Sequence, residues 1–135
     1  MDWLPPGSDR TPDSEMGHFQ EPIEVGLRSG GPLVSLAALV DTGATYTWIP
    51  EEVLEGLGAR PDEERVFVLA DGREVRYPLA WVHIKIGARV QPTIAVFGAR
   101  GSQPILGVFT LEGFGLGVDP VNRRLIPVPG LMKAS

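Results

Sequence analysis

The chain has 135 residues and no cysteine: the length fits one domain with a sizeable core, and the composition excludes disulfides, zinc–thiolate sites, iron–sulfur clusters and thiol catalysis. Seventeen acidic residues against twelve basic ones give a formal net charge of -5, and the basic residues are scattered, so no nucleic-acid partner is expected. The two histidines, His18 and His83, lie far apart without a ligand pattern around either, so neither a metal site, a cofactor nor a Ser-His-Asp triad is expected.

Residues 1–21 are rich in Pro, Asp, Ser and Glu, have no apolar period and read as a flexible tail; residues 22–135 read as the folded domain. The first residues lack a basic region followed by an apolar stretch, and no run approaches the ~20 apolar residues of a membrane span. A cytoplasmic protein with no membrane partner is the resulting expectation. Seventeen glycines and thirteen prolines favour many short strands over long helices. Residues 23–27 form a first strand, Arg28-Ser29-Gly30-Gly31 a turn, and residues 33–40 a second strand. That second run is apolar at both alternating sets of positions, the pattern of a strand covered on both faces.

It ends in Asp41-Thr42-Gly43-Ala44-Thr45. A carboxylate delivered by an apolar strand onto a glycine turn leaves a low-dielectric interior, where ionisation needs hydrogen-bond donors; the Thr42 hydroxyl and the backbone N–H groups around Gly43 can supply them. The tripeptide alone is equally the sequence of an ordinary Asp-x-Gly turn. Further along, Pro50 with Glu51 and Glu52 behind it and glycines at 56 and 58 describe a short helix whose acids face solvent. Asp71-Gly72 reads as a two-residue hairpin turn between β-rich segments 65–70 and 73–86. Trp48 and Trp81 read as core, and His83 as a strand residue with an ordinary partner. Residues 91–97 form another strand and 98–104 a loop. Ile105-Leu106-Gly107 then leads into a short helix over 108–113, and a closing hairpin pairs 116–118 with 124–128.

Taken together, the Asp-Thr-Gly-Ala-Thr turn after an apolar strand, the Asp71-Gly72 hairpin and the late Ile105-Leu106-Gly107 with its helix resemble the retropepsin-like aspartic proteases over roughly residues 22–129. The compact single-domain prokaryotic branch is the most similar. The resemblance implies an all-β, closed β-barrel-like acid protease fold with one or two short helices. It implies Asp41 as the catalytic residue, with Thr42, Gly43, Ala44 and Thr45 as the active-site turn facing substrate. Ala70, Asp71, Gly72 and Arg73 would be the tip of a flap, and Ile105, Leu106 and Gly107 would support the catalytic turn.

Aspartic proteolysis needs two carboxyl groups that share one proton, and this chain holds one Asp-Thr-Gly, so the resemblance implies a homodimer with one Asp41 from each chain. The function implied is an aspartic endopeptidase acting on extended segments of a peptide or protein substrate. The competing reading is a non-catalytic peptide-binding or assembly module on the same fold. Two features depart from the retroviral pattern: the flap tip is polar with a single glycine, and Pro127 and Pro129 remove two N–H groups from one edge of the last strand, so that strand pairs on one side only.

Overall fold

The computed structural model describes residues 18–129. Of the segment read as a tail, residues 1–17 lie outside the described residues. Phe19, Gln20 and Glu21 belong to the first strand, β1 (Phe19–Gly26), which pairs antiparallel with β2 (Val34–Val40) from Phe19↔Val40 to Val25↔Val34. Backbone pairing, not apolar periodicity, extends this strand past the patterned residues.

The chain continues through β3 (Thr47–Pro50), helix α1 (Glu51–Gly56), β4 (Glu63–Val68), β5 (Glu74–Ile86), β6 (Arg89–Gly98), β7 (Ile105–Leu106), helix α2 (Val108–Gly113), β8 (Leu116–Asp119) and β9 (Arg124–Pro127). The main sheet runs β1-β2-β7-β3-β6-β5-β4, and β1 also pairs with β5. That extra pairing closes six strands into a barrel and leaves β4 outside it as the free arm of the β4–β5 hairpin. An all-β closed barrel with two short helices is therefore the observed architecture. β8 and β9 form a separate two-stranded sheet, in which Pro127 lies opposite Leu116.

Two apolar clusters flank the barrel wall. The larger takes Ile23, Val25, Ala38, Val40, Ile49, Val82, Ile84, Phe97 and Leu106 from the barrel strands and Leu54, Leu111 and Phe114 from the helical segments. The smaller packs on the opposite side, where Ala44, Trp48, Leu79, Val96 and Ile105 meet Tyr46, Phe67 and Tyr77. Strand alternation separates them: Trp48 and Ile49, or Ile105 and Leu106, send side chains to different clusters.

Several sequence readings need correction. The second face of β2 is covered only near its end, where Leu39 reaches the smaller cluster; Ser35 and Ala37 are exposed and line an open groove with Pro22, Glu24 and Lys85. The β4–β5 hairpin turns through three residues, not two. Leu69 N–H donates to Arg73 O at 2.7 Å, Gly72 N–H donates to Leu69 O at 2.9 Å, and only Gly72 takes a positive φ, +87°. A two-residue type I′ turn needs positive φ at both central residues, which Asp71 does not supply.

Trp81 is 56% exposed, because its neighbours Ala80 and Val82 occupy the inward positions of β5. His83 Nδ1 is buried with no hydrogen-bond partner among the described residues. The acids of α1 do not merely face water: Arg100 lies 3.5 Å from Glu51 and 3.1 Å from Glu55, and Glu52 accepts the Gly101 N–H, so the helix ties down the loop that precedes β7.

Candidate active site

Asp41 is the first residue after β2 and is 1% exposed. Three backbone bonds hold the end of its strand and the turn: Leu39 N–H to Pro104 O at 2.8 Å, Asp41 N–H to Leu106 O at 3.1 Å, and Ala44 N–H to Asp41 O at 3.0 Å. The parallel register of β2 and β7, Leu39↔Ile105 and Val40↔Leu106, is what brings Ile105-Leu106-Gly107 beside the turn. The Gly43 N–H donates to Asp41 Oδ1 at 2.9 Å. A backbone donor fixed by the turn orients the carboxyl group and offsets part of its desolvation. Thr42, Gly43 and Thr45 are exposed, whereas Ala44 is buried. The turn thus presents two hydroxyl side chains and bare backbone outward while its carboxyl stays inside.

Gly107 explains how tightly the support fits. A Cβ there would stand 2.3 Å from Tyr46 O and 2.9 Å from Thr45 O, so only glycine allows this approach. Immediately after it, Val108 N–H donates to Ala44 O and Phe109 N–H to Thr45 O, each at 2.9 Å. The start of α2 is stitched to the Asp41 turn by backbone alone.

Below the turn lies a buried hydroxyl network that the sequence reading missed. Thr47 and Thr110 hydroxyls are 2.6 Å apart, Thr93 and Thr110 hydroxyls 2.9 Å, and the Gly107 N–H donates to Thr47 Oγ1 at 3.1 Å. All three threonines are essentially buried. They lie on three separate elements, β3, β6 and α2, so no local spacing marks them; the only signal was a threonine between apolar neighbours in each segment.

Ala70, Asp71, Gly72 and Arg73, read from the sequence as a flap tip, are all exposed at the tip of the β4–β5 hairpin. The Asp71 carboxylate accepts the Arg73 N–H at 3.0 Å and the Arg73 Nε–H at 2.6 Å, which makes the tip a closed ionic turn in place of a glycine-rich one. Lower down, the hairpin is anchored to the segment following the Asp41 turn by ring contacts. Phe67 meets Tyr46 and Trp48 edge-on or tilted, at 6.0 and 6.2 Å between centroids, and Tyr77 meets Trp48 at 4.9 Å. Arg65 stacks over the Tyr46 ring and donates to its hydroxyl at 2.5 Å. Burial pushes the Tyr77 phenol above its usual pKa. The hairpin base is therefore packed onto residues 46–48, and the ring packing here is worth on the order of 1 kcal/mol per pair beyond area burial.

His18 is a second residue that sequence reading left out of the site. Its Nε2 lies 3.4 Å from Asp41 Oδ1. Among the described residues no group of three or more His, Asp or Glu side chains is arranged to hold a metal ion.

The comparisons with known proteins agree with this geometry. The family pattern described as aspartyl protease matches residues 25–109, which contain the Asp41 turn, the β4–β5 hairpin and the Ile105-Leu106-Gly107 segment. No curated protein matches the chain. Among solved structures, the simian foamy virus (mac) protease superposes with a TM-score of 0.51 at 21% identity, covering 70% of this chain and 94% of the viral one. The prototype foamy virus protease-reverse transcriptase superposes with a TM-score of 0.50 at 17% identity, covering 82% of this chain and 12% of that much longer protein.

Proposed function

The chain belongs to the aspartyl protease family and has a retropepsin-like fold, and on that premise we propose that it is an aspartic endopeptidase, active as a homodimer. The observation that carries the reading is the Asp41 carboxyl group, buried at the end of β2 and oriented by the Gly43 N–H at 2.9 Å. One such group per chain cannot form the pair the chemistry requires. Two copies related by a two-fold axis bring Asp41 to the partner's Asp41, where the two carboxyls hold one proton between them. The ionised member takes a proton from water as that water attacks the scissile carbonyl, and the protonated member hydrogen-bonds the carbonyl oxygen. The tetrahedral intermediate then collapses as the amine leaves with a proton.

The chain's own residues supply the surroundings of this step. Thr42, Gly43 and Thr45 are the exposed part of the turn, placed to meet substrate and the partner turn. The β4–β5 hairpin is the flap, and a peptide lying beneath it as an extended segment hydrogen-bonds through its backbone. The Gly107 approach and the threonine network keep the turn from yielding when the two carboxyls are pressed together.

Incubation of the purified protein with a peptide library across acid to neutral pH, beside Asp41→Asn, tests the proposal. Cleavage by the parent and none by the variant is the expected result. Peptide binding without turnover at every pH, in a verified dimer, would mean instead a non-catalytic peptide-binding module on this fold.

A further inference from the structure

His18 enters the site from outside the matched family region, and its position is built. The next residue, Phe19, is buried and opens β1 opposite Val40, the residue that precedes Asp41. The His18 carbonyl accepts a hydrogen bond from Arg123 Nη2 at 2.8 Å across 105 positions of sequence. Arg123 is the only non-glycine residue among those described with a positive φ, 55°. Holding a side-chain-bearing residue in that region costs on the order of 1 kcal/mol, so an observed outlier of this kind asks what it serves. What the Arg123 guanidinium reaches is the backbone of the one described residue whose imidazole stands at the catalytic carboxyl.

The consequence concerns access. Asp41 is 1% exposed, and the same Oδ1 that accepts the Gly43 N–H has the His18 ring at 3.4 Å. A second carboxyl can share a proton with this one only by coming within hydrogen-bond distance, and the space at Oδ1 already holds an imidazole. Among the described residues, Asp41 at the end of β2 faces the His18 ring and Arg123 from the β8–β9 turn holds its backbone carbonyl.

We propose that His18 is a positioning residue that stands in for the partner's Asp41 in the single chain, holding the carboxyl group oriented and covered until dimerisation displaces the ring. Arg123 sets the gate by pinning the His18 backbone. The inference rests on the dimeric reading above and adds to it a side chain that opposes the dimer.

Dimer dissociation constants by sedimentation at one mildly acidic pH test this on four full-length proteins: the parent, His18→Ala, Asp41→Asn and the double variant. His18→Ala is expected to tighten the dimer about fivefold, the scale of one side-chain hydrogen bond. In the Asp41→Asn background the same change is expected to do nothing, an interaction that a merely structural role for His18 would not show. Arg123→Gly suits the positive φ while removing the guanidinium, and it is expected to tighten the dimer in the same direction even if His18→Ala folds poorly. A dimer that is insensitive to residue 18, weakened by its loss, or tightened equally in both backgrounds overturns the gate and leaves the dimeric protease standing. Absence of any dimer in all five proteins overturns the dimeric reading and the gate together.

Discussion

Replacing Gly107 by alanine puts the geometry of the support to the test with one methyl group. The added Cβ would stand 2.3 Å from Tyr46 O, 2.5 Å from Tyr46 C and 2.9 Å from Thr45 O. All three are main-chain atoms of the segment at the end of the Asp41 turn, so no side chain can swing away to make room. Overpacking of this kind costs roughly 1–3 kcal/mol. Relief by moving the chain would strain three hydrogen bonds, from Gly107 N–H to Thr47 Oγ1, Val108 N–H to Ala44 O and Phe109 N–H to Thr45 O, each worth about 0.5–1.5 kcal/mol. The expected loss is roughly 3–5 kcal/mol, a large share of the ~5–15 kcal/mol of an ordinary domain. Gly113→Ala is the matched control: it lies in α2 with nothing within 4 Å of its Cβ position, so its effect is expected within about 1 kcal/mol of zero. Urea unfolding of both variants, with turnover measured on whatever remains folded, gives the comparison. A Gly107→Ala protein as stable and as active as Gly113→Ala would refute the account of how the turn is held.

Thr110→Val keeps the shape but deletes the hydroxyl that both Thr47 and Thr93 contact; unfolding measurements are expected to show a loss of about 1–3 kcal/mol, and Thr93→Val less, because it ends the network. Burial pushes the Glu21 carboxyl above its usual 4.5, so the folded chain holds that proton more tightly than the unfolded one. The resulting stability is fully present below 4.5 and lost as pH rises through the raised folded value. Glu21→Gln is therefore expected to match the parent in melting temperature in acid and to exceed it near neutrality; a parent that gains on the variant as pH rises would show the sign to be wrong.

Much of the chain order of strands and helices was legible because each signal was local, although the short strands β3 and β7 were not read as strands. Pro50 with acids behind it opened α1, an Asp-Gly pair marked the tip of the β4–β5 hairpin, and the Ile105-Leu106-Gly107 segment led into α2 over 108–113. Asp41 and its turn were legible for the same reason, since the Gly43 N–H reaches a carboxyl only two residues away. What sequence could not show was set by pairings distant along the chain. The β1–β5 contact that closes the barrel, the meeting of Thr47, Thr93 and Thr110, and the reach of Arg123 to His18 all join elements with no shared spacing. Trp81 was misread because its apolar neighbours suggested core, while strand alternation, which fixes direction residue by residue, turned it outward.

The central claim is that catalysis needs one Asp41 from each of two chains, and subunit mixing measures it most directly. A fixed amount of active protein is exchanged to equilibrium with rising excess of Asp41→Asn, and peptide cleavage is followed. Every mixed dimer holds a single carboxyl, so activity is expected to fall towards zero as the variant captures the active chains. Activity that stays constant under a large excess, with mixed dimers verified, would mean that one Asp41 suffices and that the shared-proton pair is not the catalyst.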